Sequence, residues 1–261
     1  MKRMLSGRGF VFAVILQVLG CLFPFRNFAG IWEAPLEVFS SADFLYFFLV
    51  PREEGLLVAL LPLVAYLPAA GFAAEDIASG FRDLALHRQS KLRYGFKLAM
   101  QGALGAFLAS LTGILVYIAF ISMVSPMDGP RVIASWRRGL DMSVYKPYLY
   151  AYGWPIVIDS SLRYAYAAFC WGLIGVGVSA MCANAGLGLV LTLALGYQLN
   201  AALVSKQATY WWSQRALLSA SFENIPSLTM LSWHQTVYLL VGILIATAGI
   251  SFSLRHEKGR S

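Results

Sequence analysis

Long stretches without a charged side chain limit this chain to a membrane fold more strongly than any other feature. A helix needs roughly 20 mostly apolar residues to cross a bilayer. The uncharged stretch 164–205 is too long for one spanning helix, and the turn-like residues 182–186 divide it into two predicted spans. The uncharged stretches are 9–25, 56–74, 98–127, 164–205 and 236–254.

These stretches predict an all-α polytopic membrane protein with six transmembrane helices in a single transmembrane domain, 1–261. Composition agrees, since 59% of the residues are hydrophobic, only 13% are charged and the mean hydropathy is +0.65. A cleaved signal peptide is the alternative at the basic N-terminus, but no small-x-small cleavage site follows its apolar run. The predicted spans are about 9–25, 56–74, 98–122, 164–182, 186–204 and 236–254.

The distribution of Lys and Arg predicts which side of the membrane each connection faces. Six spans place both termini on one side, together with residues 75–97 and the turn near Asn184. That side holds eleven of the twenty Lys and Arg residues in about 40 positions, whereas the other nine are spread over far longer loops. The positive-inside rule therefore predicts cytoplasmic N- and C-termini. The net charge of +7 follows from this topology and from anionic lipid, without a nucleic-acid partner.

The charged insert at residues 75–97 separates the second and third predicted spans. It holds five Lys and Arg residues, so it must lie outside the hydrocarbon. Ile77, Phe81 and Leu84 follow helical spacing, which predicts a short amphipathic helix with an apolar seam. The alternative is a solvated basic loop that binds lipid headgroups.

Small residues recur at every fourth position in two predicted spans. This spacing lets another helix backbone approach closely and favours fixed helix packing, with a sliding contact as the alternative. The three sets are Gly102, Ala106 and Ser110; Gly105, Ala109 and Gly113; and Gly175, Ser179 and Ala183. Between the last two spans, the weakly polar stretch 224–231 predicts a re-entrant segment, because it is too short to cross.

Motifs for catalysis and for metal or cofactor binding do not occur in the sequence. The three His residues and three Cys residues lack metal-ligand spacing, and no phosphate-binding loop is present. Val58 stands where a CAAX-type protease requires Arg, and Ala180 stands where a rhomboid-like protease requires Gly. The predicted spans also lack the charged residues that an ion-coupled carrier uses. We therefore predict no catalytic, metal or cofactor site.

Residues 56–116 resemble the integral membrane subunits of ABC-2 type transporters. The similarity lies in a helix with two prolines, in the charged insert and in the small-residue-rich helix that follows. The residues that carry it are Leu60-Leu61-Pro62-Leu63-Val64-Ala65-Tyr66-Leu67-Pro68, Phe72, Glu75-Asp76, Ser79-Gly80-Phe81, Arg88, Arg93-Tyr94, Lys97 and Leu98-Ala99.

This resemblance implies a permease subunit of an ATP-driven exporter in a bacterial plasma membrane. Its partners would be a separate ABC ATPase chain, a second permease subunit in a homo- or heterodimer, and membrane lipid. The insert would act as the coupling helix that contacts the ATPase. The ATPase-coupling residues that the resemblance implies are Glu75, Asp76, Gly80, Phe81, Arg82, Asp83, Leu84, Arg88, Arg93, Tyr94 and Lys97. The alternatives are an ion-coupled carrier, a non-transporting immunity or scaffold protein, or an intramembrane hydrolase.

Overall fold

The computed structural model describes the chain as an assembly of α-helices. It covers residues 7–23, 48, 55–68, 70–124, 154–182, 184–204 and 228–255. Within these ranges there are eight helices and no strands. They are α1 (Arg8–Leu22), α2 (Gly55–Tyr66), α3 (Phe72–Ala78), α4 (Phe81–Arg88), α5 (Lys91–Val124), α6 (Trp154–Cys182), α7 (Ala185–Val204) and α8 (Leu228–Arg255).

Three of these helices are long and apolar enough to cross a membrane. They contain the segments Lys91–Met123, Val157–Cys182 and Gln235–Arg255, and two further apolar helices in the described part of the chain are shorter. Many large apolar side chains on these helices point outward, which is expected where hydrocarbon replaces water. The chain is therefore a membrane-embedded helical protein.

Helix α6 lies at the centre of the assembly and contacts α2, α3, α5, α7 and α8. In its most apolar window 72% of the residues are buried, against 33% in α8. Small side chains explain this position, because Gly and Ala let neighbouring backbones approach from several directions. Gly172 packs against Ala103 and Ala106 of α5, while Gly177 packs against the backbone of α8.

The predicted second span, residues 56–74, is not one helix. Helix α2 continues through Pro62 but ends at Tyr66, and α3 begins separately at Phe72. The reason lies in Leu67, because a residue that precedes proline is disfavoured in the α region, and Pro68 follows it. Pro68 therefore interrupts this predicted span, so that residues 56–74 contribute to two helices instead of one continuous helix.

The other predicted spans each coincide with a helix, although several boundaries differ. Helix α5 begins at Lys91, so the last part of the insert is already helical. Helix α6 begins ten residues before the predicted boundary at 164, where an Asp159–Arg163 ion pair at 2.6 Å joins successive turns. Of the predicted re-entrant stretch, residues 228–231 form the first turn of α8, and the rest lies outside the described residues.

Candidate functional site

The insert folds as two short helices with a sharp break between them, rather than as one amphipathic helix. Helix α3 ends at Ala78 and α4 begins at Phe81. Gly80 between them has φ +70°, a left-handed conformation that side chains with a Cβ rarely adopt. Ile77 therefore lies on α3, whereas Phe81 and Leu84 lie on α4, so the prediction of one continuous amphipathic helix through these residues is wrong.

Most of the predicted coupling residues face outward. Phe81 is 52% exposed and Leu84 is 66% exposed, so α4 presents two large apolar side chains at the surface. Charged side chains surround them, with Asp83 and Arg88 on the same short helix. The exposed members of the predicted set are Glu75, Phe81, Asp83, Leu84, Arg88, Arg93 and Lys97, and Gly80 is partly exposed.

Three of the predicted residues face inward and bind the insert to the spanning helices. Asp76 is buried, and its Oδ2 accepts a hydrogen bond from the Tyr94 hydroxyl of α5 at 3.2 Å. Arg82 is only 13% exposed. Its Nη1 donates to the carbonyl oxygen of Ser253 near the end of α8 at 3.0 Å, while its Nε donates to Asp83 Oδ1 at 2.9 Å. These residues therefore hold α3 and α4 against α5 and α8.

The start of the insert is also attached to the central helix. The backbone N–H of Ala74 donates to Ser179 Oγ of α6 at 3.2 Å. At the end of α2, the Tyr66 hydroxyl donates to the carbonyl oxygen of Ala185 at 2.7 Å, which joins α2 to the start of α7. The insert is thus connected to the centre of the assembly as well as to its edge.

The segments predicted to share the cytoplasmic side lie together at one end of the assembly, as far as the structure describes them. Gly9, at the start of α1, packs against Leu67 after α2. Gly71 lies beside Ala185, which follows the turn between α6 and α7. The bond between Arg82 and Ser253 brings the end of α8 to the same place. These contacts show that the segments are neighbours at one end of the assembly.

A cavity of about 220 Å³ lies between the insert and the first turns of α5. Sequence reasoning did not predict it, because its walls come from three helices and a linker that no local periodicity brings together. Four of its lining residues belong to the predicted coupling set: Asp76, Phe81, Tyr94 and Lys97. The lining residues are Phe72, Asp76, Phe81, Ala85, Gln89, Tyr94, Lys97, Leu98 and Gln101.

The described residues hold no group of three His, Cys, Asp or Glu side chains that could bind a metal ion. Cys21, Cys170 and Cys182 form no disulfide. This end of the molecule presents large apolar side chains on α4, exposed charged residues and a cavity with polar lining.

No known protein family, curated protein or solved structure matches this chain. Within the described part of the chain, the insert combines an exposed apolar surface with hydrogen bonds to several of the surrounding helices.

Proposed function

We propose that this chain is the membrane-spanning subunit of an ATP-driven exporter of the ABC-2 type, and that residues 75–97 receive a separate ATPase. The exposed pair Phe81 and Leu84 on α4 carries the proposal. Large apolar side chains next to charged ones, outside the membrane spans, are typical of a surface that binds a soluble protein. Phe81 and Leu84 serve as anchors in the ATPase surface, and Asp83 and Arg88 fix the register.

The inward bonds of the insert support a role in transmitting movement. A displacement of α4 is passed to α8 through Arg82, and a displacement of α3 is passed to α5 through Asp76 and Tyr94. Helix α5 contains 34 residues, so it is roughly 50 Å long and extends from the insert through a candidate span. ATP-driven closure of the ATPase would move these helices together.

The proposed subunit has six spans with cytoplasmic termini, lies in a bacterial plasma membrane and pairs with a second permease subunit, either identical or related. The chain itself performs no catalysis, and nucleotide hydrolysis belongs to the partner. Labelling of the connecting segments from each side of the membrane tests the six-span count, above all at α1 and α2, which contain 15 and 12 residues.

An ion-coupled carrier is the competing class of transporter. Such carriers bind their ion at charged groups inside the membrane. Within the Val157–Cys182 span the charged residues are Asp159 and Arg163, which pair with each other at 2.6 Å. Since this pair neutralises itself near the start of the helix, it does not favour ion coupling.

The proposal is tested by purifying the tagged chain in mild detergent from cells that make it naturally. We expect a polypeptide with a phosphate-binding loop to co-purify in comparable amount, and we expect the complex to hydrolyse ATP in a vanadate-sensitive manner. Mass spectrometry identifies the partner, and a phosphate-release assay measures the activity. A preparation that contains no such polypeptide and hydrolyses no ATP would contradict the proposed function.

A further inference from the structure

The cavity between the insert and α5 combines charges of both signs with aromatic surface. Asp76 lies buried in its wall, and Lys97 is exposed at its edge. Lys97 makes no hydrogen bond or ion pair within the described part of the chain. The aromatic rings of Phe72, Phe81 and Tyr94 line the same space.

These groups are suited to a ligand that carries both an ammonium and a phosphate. A carboxylate accepts hydrogen bonds at several lone-pair positions, so Asp76 can accept from an ammonium as well as from Tyr94. Aromatic rings attract cations through their faces, and Lys binds phosphate as a point charge. The side-chain amides of Gln89 and Gln101 add neutral donors for phosphate oxygens. At about 220 Å³, the cavity has room for several water-sized groups.

A stripe of leucines continues from the cavity along α5 into its candidate span. It begins below Lys97 and Gln101, and its members are separated by three or four residues, so they lie on one face of the helix. Each is exposed or partly exposed on the outer surface. The stripe contains Leu104, Leu108, Leu111 and Leu115. In a membrane-embedded helix such a face contacts acyl chains.

We propose that this cavity binds the headgroup of a phosphatidylethanolamine-type lipid, with the ammonium at Asp76, the phosphate at Lys97 and an acyl chain along the leucine stripe. The stripe favours a lipid over a side chain of a soluble partner. A soluble protein cannot contact an apolar helix face inside the membrane, whereas an acyl chain can. Asp76 favours a headgroup that contains an ammonium, because a carboxylate repels a headgroup that carries only negative charge. A trimethylated headgroup binds less well, since it cannot donate hydrogen bonds.

The cavity shares residues such as Phe81 and Lys97 with the proposed ATPase surface, but lipid binding requires no ATPase and is tested on the full chain alone by native mass spectrometry. The delipidated protein is titrated with phosphatidylethanolamine, phosphatidylglycerol and phosphatidylcholine of matched acyl chains, and with soluble phosphoethanolamine. We expect one phosphatidylethanolamine to bind roughly tenfold or more tightly than the other two lipids, because hydrogen bonds to charged groups are the strong ones. Soluble phosphoethanolamine should not displace it, since it lacks the chain.

Two variants and a control connect the result to the cavity. Asp76→Asn should abolish the preference for the ethanolamine headgroup. Lys97→Glu should weaken phosphatidylethanolamine binding by roughly tenfold or more, and Lys97 is exposed, so this variant should fold. Lys91→Gln changes an exposed lysine of α5 that does not line the cavity and should leave binding unchanged. Equal binding of the three lipids, or a Lys97→Glu variant that binds like the parent, would overturn the proposal.

Discussion

Replacing Phe81 and Leu84 together by alanine is expected to release the ATPase and to abolish ATP-driven transport. Both side chains are exposed on α4, so their truncation removes apolar surface from the interface without opening a cavity in the fold. We expect a loss of about 2 kcal/mol for each anchor, which corresponds to a roughly 30-fold increase in Kd per residue. Co-purification and the ATPase activity of the complex measure the effect.

Leu187→Ala is the matched control for this variant. Leu187 is 50% exposed in the first turn of α7, and it belongs to the same end of the assembly but not to the insert. Its truncation removes about as much apolar surface as the Leu84→Ala change and should leave the ATPase bound. Undiminished association of the Phe81→Ala/Leu84→Ala protein would show that α4 is not the docking surface.

Replacing Gly249 by leucine is expected to separate α6 from α8 and to destabilise the whole assembly. A Cβ at this position would lie 2.6 Å from the carbonyl carbon of Gly177 and 2.7 Å from its Cα, closer than side-chain carbons approach. Neither backbone can yield without moving its helix. Overpacking of this kind typically costs about 1–3 kcal/mol, and we expect the upper end because the obstruction is backbone. Thermal unfolding in detergent measures the change.

Gly186→Leu controls for the effect of adding a large side chain to a glycine. Gly186 is exposed near the start of α7, and a Cβ there would meet only Asn184 Oδ1 at 3.4 Å, an ordinary contact. Its stability should change by no more than about 0.5 kcal/mol. If Gly249→Leu unfolds at the same temperature as Gly186→Leu, the close crossing of α6 and α8 is not needed for stability.

The long apolar helices of this protein can be predicted from the sequence, because their hydropathy places them in the membrane. An uncharged run of 20 residues in hydrocarbon has to satisfy its backbone internally, so residues 98–122 and 236–254 were predictable as helices. The small-residue spacing on α5 also identified true contacts, since Gly102 packs against Gly172 and Gly113 packs against Gln17 of α1. Both features are local or periodic, and both act through backbone geometry.

The candidate site was predictable only as a segment, not as an arrangement. Helical periodicity treats residues 75–88 as continuous, whereas the left-handed Gly80 separates α3 from α4. The contact between Arg82 and Ser253 joins residues 171 positions apart, so no local pattern reports it. For the same reason the inward position of Asp76 and the cavity beside it became visible only in the folded chain.

The most direct test of the proposed coupling role is photo-crosslinking from α4 in intact cells. A photoreactive phenylalanine derivative is placed at position 84, and separately at position 244, an exposed leucine within the Gln235–Arg255 span. We predict that position 84 forms an adduct with a cytoplasmic polypeptide containing a phosphate-binding loop, and that position 244 does not. An adduct at position 84 with lipid or with an extracytoplasmic protein alone would contradict the coupling role of the insert.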